Sequence, residues 1–364
     1  MKKKRNIFLI ILAFIVSTFF AIILTNYYIN KKQKELLNSI YESTHKNIFE
    51  KTQNLINDKQ NTSLAIAMSL SKDETLYTHL KNKDFEKLNY VKIAKLIETN
   101  SKYKNIWIQI FDSNLNSVYR SWTNIRGSLN FRPDLKKIEA LKNISTSISA
   151  GLFNIGIRAR TPIFDENNNF YGALEVVTHF DSITEDLVKN NISPVVIGDK
   201  SIRKNLTNPL LSKLFIDDYY IANENVDMNL YKYIKENGVE KYINIDKFII
   251  ENGYLISKYP LFDENKKNLA YIINFMELKS INLENIKHIK IQTTLGTVIA
   301  LIIIFTAILV YYLRDIKYQN SKNKILLNSQ PNIVIITNAK EIIDANKQLL
   351  KFFPLVKDLE EFKK

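Results

Sequence analysis

The 364-residue sequence contains no cysteine, and it is sparing with four other residues: four histidines, seven prolines, eight glycines and two tryptophans. Without cysteine there can be no disulfide, no thiolate nucleophile and no thiolate metal site. His45, His79, His179 and His288 lie too far apart for an HExxH-type ligand spacing, so no metal or cofactor site is expected. Arginine is also scarce, with eight against forty-three lysines. The net charge of +14 raises nucleic acid as a partner, but the lysines are spread along the chain and form no basic stripe with interleaved aromatics, which argues against it. Nor is there a G-x-S-x-G, a Walker loop or a paired-carboxylate motif to organise catalysis.

Charge is absent from two long stretches. One, Asn6 to Asn30, has the core IFLIILAFIVSTFFAIILT; the other, Ile291 to Leu313, reads IQTTLGTVIALIIIFTAILVYYL. Each matches the ~20 residues that cross a bilayer core. The first has a basic start, Lys2 to Arg5, but is too long for a signal peptide and lacks an A-x-A site, so an uncleaved anchor is expected. Those basic residues, and Arg314, Lys317, Lys322 and Lys324 after the second stretch, predict a two-pass inner-membrane protein with both termini in the cytoplasm. Residues between the spans would then lie outside.

That exterior region starts with apolar residues at helical spacing (Leu37, Tyr41, Ile48, Leu55, then Leu64, Ala67, Leu70) and no proline or glycine, which predicts one long helix over 32–70. The stripe suggests a parallel homodimer along it. A second helix is predicted at Asp84 to Glu98. Strands follow: IWIQIFD (Ile106 to Asp112) and SVYRSW (Ser117 to Trp122), then IGIRARTPIF and FYGALEVVTHF around the turn DENNN. After PVVIGD and a helical stretch around Leu230 to Lys235 come YINIDKFII, YLISKYPLF and NLAYIINFMEL. PIFDENNNFYGALEVV, from Pro162, and PLFDENKKNLAYIINF, from Pro260, align without a gap. A duplicated α+β module, two copies stacked along the long helix between two transmembrane helices, accounts for this best. Asp165, Glu166, Asp263 and Glu264 are then turn residues.

This order of anchor, long helix, two hairpin-ended modules and return helix resembles the double Cache sensor region of bacterial signal transducers, a likeness carried in the first module by VYRSW, RGSLNFRPDL and GLFNIGIRARTPIFDENNNFYGALEV. VYRSW falls on a strand and lacks the helix-borne Arg with Trp-Tyr of the family's amino-acid binders. The domains expected are a cytoplasmic tail (1–6), a first span (7–30), a sensor (31–285, divided into stalk 31–100, membrane-distal module 101–190 and membrane-proximal module 191–285), a second span (291–313), a signalling linker (314–330) and residues 331–364. In that last segment QPNIVIITN, a turn at Asn338 and Ala339, EIIDAN and KQLLKFF resemble the beginning of a PAS domain, which the sequence does not complete; by resemblance the output would be a histidine kinase or a diguanylate cyclase outside this chain. The alternatives are an exported, membrane-anchored hydrolase and a chemoreceptor-type sensor.

The scarce arginines mark a candidate site. Five of eight, Arg120, Arg126, Arg132, Arg158 and Arg160, fall within 41 residues of the first module, together with Trp107 and Trp122. In a lysine-rich chain that concentration suggests a use for the planar, bidentate guanidinium, which suits a small anion such as a carboxylate. Ordinary ion pairs or cation–π packing of Arg120 are the alternative. Arg120, Trp122, Arg126, Arg132, Arg158 and Arg160 are the expected ligand-binding residues, with Arg126 and Arg132 favoured because they lie in a glycine-containing loop. In the second module Lys258 stands at the position of Arg160.

Overall fold

The computed structural model describes residues 2–363 except Asn130 and Ala339, with no side-chain placement for residues 1–11, 13, 285, 287 and 363. The turn expected at Asn338 and Ala339 therefore lies partly outside the described residues. The chain forms two units, Leu37–Asn282 and Met1–Leu36 with Leu283–Lys364.

In the larger unit a single helix, α1 (Lys2–Leu70), supplies its second half. Two short helices follow, α2 (Thr75–Asn82) and α3 (Tyr90–Asn100); of the helix expected over 84–98 only the part within α3 is α-helical, preceded by a single 3-10 turn at Phe85–Lys87. The reason is local: Lys83 adopts a left-handed φ of 57° and ends α2, and Asp84 is not helical. The first sheet follows, built from β1 (Trp107–Asp112), β2 (Asn116–Arg120), β3 (Gly127–Ser128), β4 (Ser145–Ala150), β5 (Ile155–Phe164) and β6 (Phe170–Thr178), with α4 (Pro133–Leu141) between β3 and β4. α5 (Asp181–Val188) leads to the second sheet, made of β7 (Ile192–Gly198), β8 (Phe215–Ile216), β9 (Tyr219–Ile221), β10 (Phe248–Glu251), β11 (Tyr254–Phe262) and β12 (Asn268–Glu277), with α6 (Met228–Asn237) and α7 (Val239–Ile243) inserted before β10. The strand expected over YINIDKFII begins instead with the last two residues of α7, Tyr242 turning its ring into the core beside Phe275, and only 248–251 pair.

Both sheets are antiparallel, and their strand orders are β3-β2-β1-β6-β5-β4 and β10-β11-β12-β7-β9-β8. Taken from opposite edges these are one topology, with β7, β9, β8, β10, β11 and β12 standing where β1, β2, β3, β4, β5 and β6 stand. The hairpin turns agree atom for atom. Asp165 Oδ1 accepts from the backbone N–H groups of Asn167 and Asn169 (2.9 and 2.8 Å), and Asp263 Oδ1 accepts from those of Asn265 and Lys267 (2.9 and 2.9 Å). Asn168 and Lys266 take the same left-handed φ, 61° and 60°, and both ladders shift register at the same place, Ile163/Phe164 and Leu261/Phe262. The repeated sequence is a repeated module, and its acids are turn-formers.

Each module buries apolar residues. One face of the first sheet (Ile108, Ile110, Ala159, Leu174, Val176) packs with Ala67 of α1, with α2 and with α3. In the second module Val195, Ile256, Ile273 and Phe275 pack with α6 and α7. α1 serves both: lower on the helix Tyr41 meets Phe248, Phe49 meets Tyr259 and Asn274 donates to Thr52 Oγ1. This corrects the reading of the α1 stripe. Tyr41 is buried against Phe248 of the chain's own second module and Ile48 is buried, with Leu37 and Leu55 half-buried, so the stripe is largely covered within the chain; the outward face of this half of α1 is polar, with exposed Glu42, Lys46, Glu50, Asn54 and Asp58.

In the smaller unit α8 (Glu284–Asn328) runs beside the first part of α1, where Thr25 and Thr297 share a hydroxyl hydrogen bond (3.2 Å) and Phe14 meets Phe305. His288–Asn328 is long and apolar enough to cross a membrane, with a mean hydropathy of 2.5 in its most apolar window, and is unburied there. The first expected span lies partly on residues whose side chains are not described. A two-stranded hairpin, β13 (Ile335–Thr337) and β14 (Ile342–Ala345), and two short helices, α9 (Lys347–Phe352) and α10 (Leu359–Lys363), complete the unit.

Candidate functional site: a buried arginine cluster over the first sheet

Strand alternation puts Gln109, Arg120, Arg158, Arg160 and Glu175 on the face of the first sheet turned away from α1. Pairing then lines them up: Arg120 lies opposite Gln109, Gln109 opposite Glu175, Glu175 opposite Arg160, and Arg160 opposite Ser145, a polar row straight across five strands. The segment 121–132, α4 and the turn 151–154 cover this face.

The charges are knitted together. Arg132, the residue before α4, donates to Glu175 Oε1 and Oε2 (3.0 and 2.6 Å) and to Asp134 Oδ1 and Oδ2 (3.1 and 2.7 Å). Arg158 donates to Glu175 Oε1 (3.1 Å) and Asn154 Oδ1 (2.9 Å). Arg160 donates to Glu175 Oε2 (2.9 Å), Asp134 and the hydroxyls of Ser145 and Ser147. Burial by itself would raise the carboxyls, but Arg132, Arg158 and Arg160 outweigh it, holding Glu175 at about 2 and Asp134 well below the usual range. Burial lowers Arg158 to about 10, with Arg132 repelling it.

Arg120 stands apart. It is 3% exposed, yet among the described residues its guanidinium donates only to neutral oxygens, Gln109 Oε1 (2.8 Å) and the Ile125 carbonyl, and burial together with the charge of Arg126 lowers it to about 10. Four buried guanidinium groups therefore face two carboxylates, an excess of two positive charges.

Between Arg120, Arg132 and Arg158 lies a cavity of about 10 Å³, walled also by Gln109, Trp122, Phe153 and Asn154. Three buried donors on this wall have no partner among the described residues: Gln109 Nε2, Asn154 Nδ2 and Trp122 Nε1. Both amide orientations are set by chemistry, because Gln109 Oε1 accepts from Arg120 and Asn154 Oδ1 accepts from Arg158. Trp122 stacks on Trp107 (4.6 Å, 11°) with Phe153 edge-on to both, which fixes the indole. A Cβ at Gly151 would sit 2.8 Å from Arg158 Nη2, so that guanidinium would have to shift.

Of the six residues expected at the site, Arg120, Trp122, Arg132 and Arg158 meet at the cavity, and Arg160 lies beneath them in the ion network. Arg126 does not join. It is exposed, and its guanidinium donates back to the carbonyls of Thr123 and Ile125 (2.7 and 3.2 Å), because the loop turns it outward. The sequence reading passed over Gln109, Asp134, Asn154 and Glu175. A signal existed for Glu175, the one charge in the strand FYGALEVV, since the DEN hairpin register places it opposite Arg160. Among the described residues no group of three or more His, Asp or Glu is placed to hold a metal.

The second module lacks the site. At the positions of Gln109, Glu175 and Arg158 it has Val195, Ile273 and Ile256, all fully buried in its apolar core, and Lys258 at the position of Arg160 donates to the Ile243 carbonyl (2.9 Å).

No family model and no curated protein matches the chain. Among solved structures it is similar to the sensor domain of the V. cholerae histidine kinase DctB (13% identity, TM-score 0.38, covering 68% of this chain and 98% of that one). It is similar also to a domain of a sensory box/GGDEF family protein from Vibrio parahaemolyticus (14%, 0.39, 67% and 98%) and to the ligand-binding domain of the Campylobacter jejuni chemoreceptor Tlp3 in complex with 4-methylisoleucine (16%, 0.36, 67% and 95%).

Proposed function

We propose that the chain is a membrane-anchored sensor whose first module binds a small anion, a carboxylate-sized group, between the sheet and segments 121–132 and 151–154. The observation that carries this reading is that one cavity is lined by three buried arginines in a cluster with two excess positive charges and by three residues whose side-chain N–H groups have no partner among the described residues. An anion satisfies all of them, whereas a cation or an apolar group satisfies none. At about 10 Å³ the cavity takes about one water-sized group, so a larger organic acid enters only as the covering segments move, and that motion is the signal in this reading. The second module, apolar on the same face, is a relay.

In the proposed topology the 7–30 and 291–313 segments both span the inner membrane, the sensor lies in the periplasm, and the hairpin after α8 begins a cytoplasmic PAS domain leading to a kinase or cyclase output. A homodimer would form through surfaces other than the α1 stripe. The test is calorimetry on the detergent-solubilised chain with formate, acetate, nitrate and phosphate, and with ammonium and glycerol as controls. Binding of one or more of the anions and of neither control is expected; binding of the controls alone, or of nothing, refutes the reading.

A further inference from the structure

A second cluster of buried titratable groups lies at the corner where β6 turns into α5 and α1 passes behind it. Lys59 of α1 is 2% exposed there. Its ammonium nitrogen lies 2.7 Å from Ser182 Oγ and 3.8 Å from the Tyr103 ring centroid, and no carboxylate among the described residues comes within ion-pair distance. One turn on, Ser63 shares a hydrogen bond with Thr178 Oγ1 (2.8 Å). His179 is buried, its Nδ1 2.6 Å from the Asn105 carbonyl oxygen and its Nε2 without a partner. Asp181 accepts from the backbone N–H groups of Glu224 and Asn225 (2.7 and 3.3 Å), which ties this corner to the second module. The helix, the first module and the second module therefore all meet at groups whose charge depends on pH.

We infer that this corner is a pH-responsive joint: it holds α1 tightly when Lys59 and His179 are neutral and loosens as the surrounding solution becomes more acidic. The inference is independent of the anion site and goes beyond it. The charged and titratable groups acting on Lys59 are Lys102 and Tyr103 before β1, His179 after β6, and Asp181, Glu185 and Asp186 on α5, with Ser182 Oγ as its hydrogen-bond partner; those acting on His179 are Lys59 and Arg158. Burial lowers Lys59 to about 7 and the neighbouring Lys102 adds to the lowering, against the raising pull of Asp181, Asp186 and Glu185. Lys102 is itself bound to Asp186 (2.8 Å), which leaves that carboxylate unable to turn to Lys59. Burial likewise lowers His179 to about 3 against the Asn105 contact, which raises it.

The sign follows from linkage. Both groups hold fewer protons in the closed joint than when released, so closure strengthens as pH rises, over about 3 to 6.5 through His179 and over about 7 to 10.5 through Lys59. Burial raises Asp181, which opposes this only at the acid end. From pH 7 to 9 the Lys59 contribution alone tightens the closing equilibrium by up to about fifty-fold.

The test uses the full chain in nanodiscs, which is free of background thiols. Spin labels on Asn57→Cys and Val188→Cys, both exposed, report the distance between α1 and α5. A longer-distance population that grows as pH falls from 9 to 6 is expected in the otherwise unchanged chain, and it should be absent in Lys59→Met at every pH. Lys59→Arg, which cannot become neutral, should show it at every pH. An unchanged distribution from pH 6 to 9, or variants that follow the parent's pH profile, overturns the inference.

Discussion

Arg120 offers the sharpest separation between an arginine that holds the fold and one that waits for a ligand. In Arg120→Met the stem is kept in length while the charge goes. Two hydrogen bonds are lost, to Gln109 and to Ile125, at about 1 kcal/mol each. Against that, a buried guanidinium with no carboxylate partner is removed; its drop to about 10 corresponds to at most about 3 kcal/mol against the charged form. The two effects nearly cancel, so the denaturation midpoint should move by less than about 1 kcal/mol in equivalent stability. Anion affinity should respond otherwise. Losing one charge-assisted contact in a closed site costs about 1.5–3 kcal/mol, or about ten- to a hundredfold in Kd. Denaturant titration and calorimetry on the same preparation, with the best anion found, give both numbers. A variant that loses 3 kcal/mol of stability but binds the anion as before would show Arg120 to be a structural residue and would remove the basis for an anion site.

Glu175→Gln leaves Arg132, Arg158 and Arg160 with Asp134 alone and should cost about 3–5 kcal/mol of stability; because Glu175 sits at about 2 when folded, its contribution is present above pH 4.5 and is lost as pH falls toward 2, so the variant's acid-unfolding curve should be flatter across that window by circular dichroism. Gly151→Ala presses on the far end of a flexible side chain, Arg158, and should weaken anion binding by calorimetry while changing the melting temperature little. Gly172→Ala, whose Cβ would lie 2.2 Å from the Phe111 carbonyl oxygen, should instead cost more than about 2 kcal/mol by denaturant titration. Arg126→Ala should leave both stability and anion affinity unchanged in the same assays.

Periodic features were legible in the sequence, and features made by three-dimensional convergence were legible only in part. The long helix, the β1 and β2 strands and the duplicated hairpin follow from spacing and turn chemistry; the strands lie within two residues of their expected places, and the helix ends where expected, at Leu70, though it is continuous with the segment before residue 32. The α7 helix was missed because YINIDKFII has strand-like composition, while Gly238 and the packing of Tyr242 decide otherwise. The α1 stripe was seen, but its partner was assigned to a second copy, since a lone amphipathic helix does not say which surface it covers. Clustering in sequence found Arg120, Arg132, Arg158 and Arg160. It could not find that three of them share two carboxylates, because Asp134 and Glu175 reach them through a helix start and a neighbouring strand. Arg126 shares the segment and the residue type but not the side of the loop.

The two modules keep one topology and one turn but have parted on a single sheet face, and that divergence fits a division of labour. In the second module, Val195, Ile256 and Ile273 bury apolar surface worth about 1.5–3 kcal/mol each. The equivalent face of the first module buries four guanidinium groups and two carboxylates, an arrangement that contributes about nothing or less than an apolar filling would. A chain selected for stability alone would gain by filling both faces in the same way. The charged face sits in the module that lies farther along the chain from α8, whereas the apolar copy ends at Glu277, seven residues before α8 begins at Glu284. Under the proposed function, the charged module would bind the anion and the apolar module, which precedes α8 in the chain, would pass the change on.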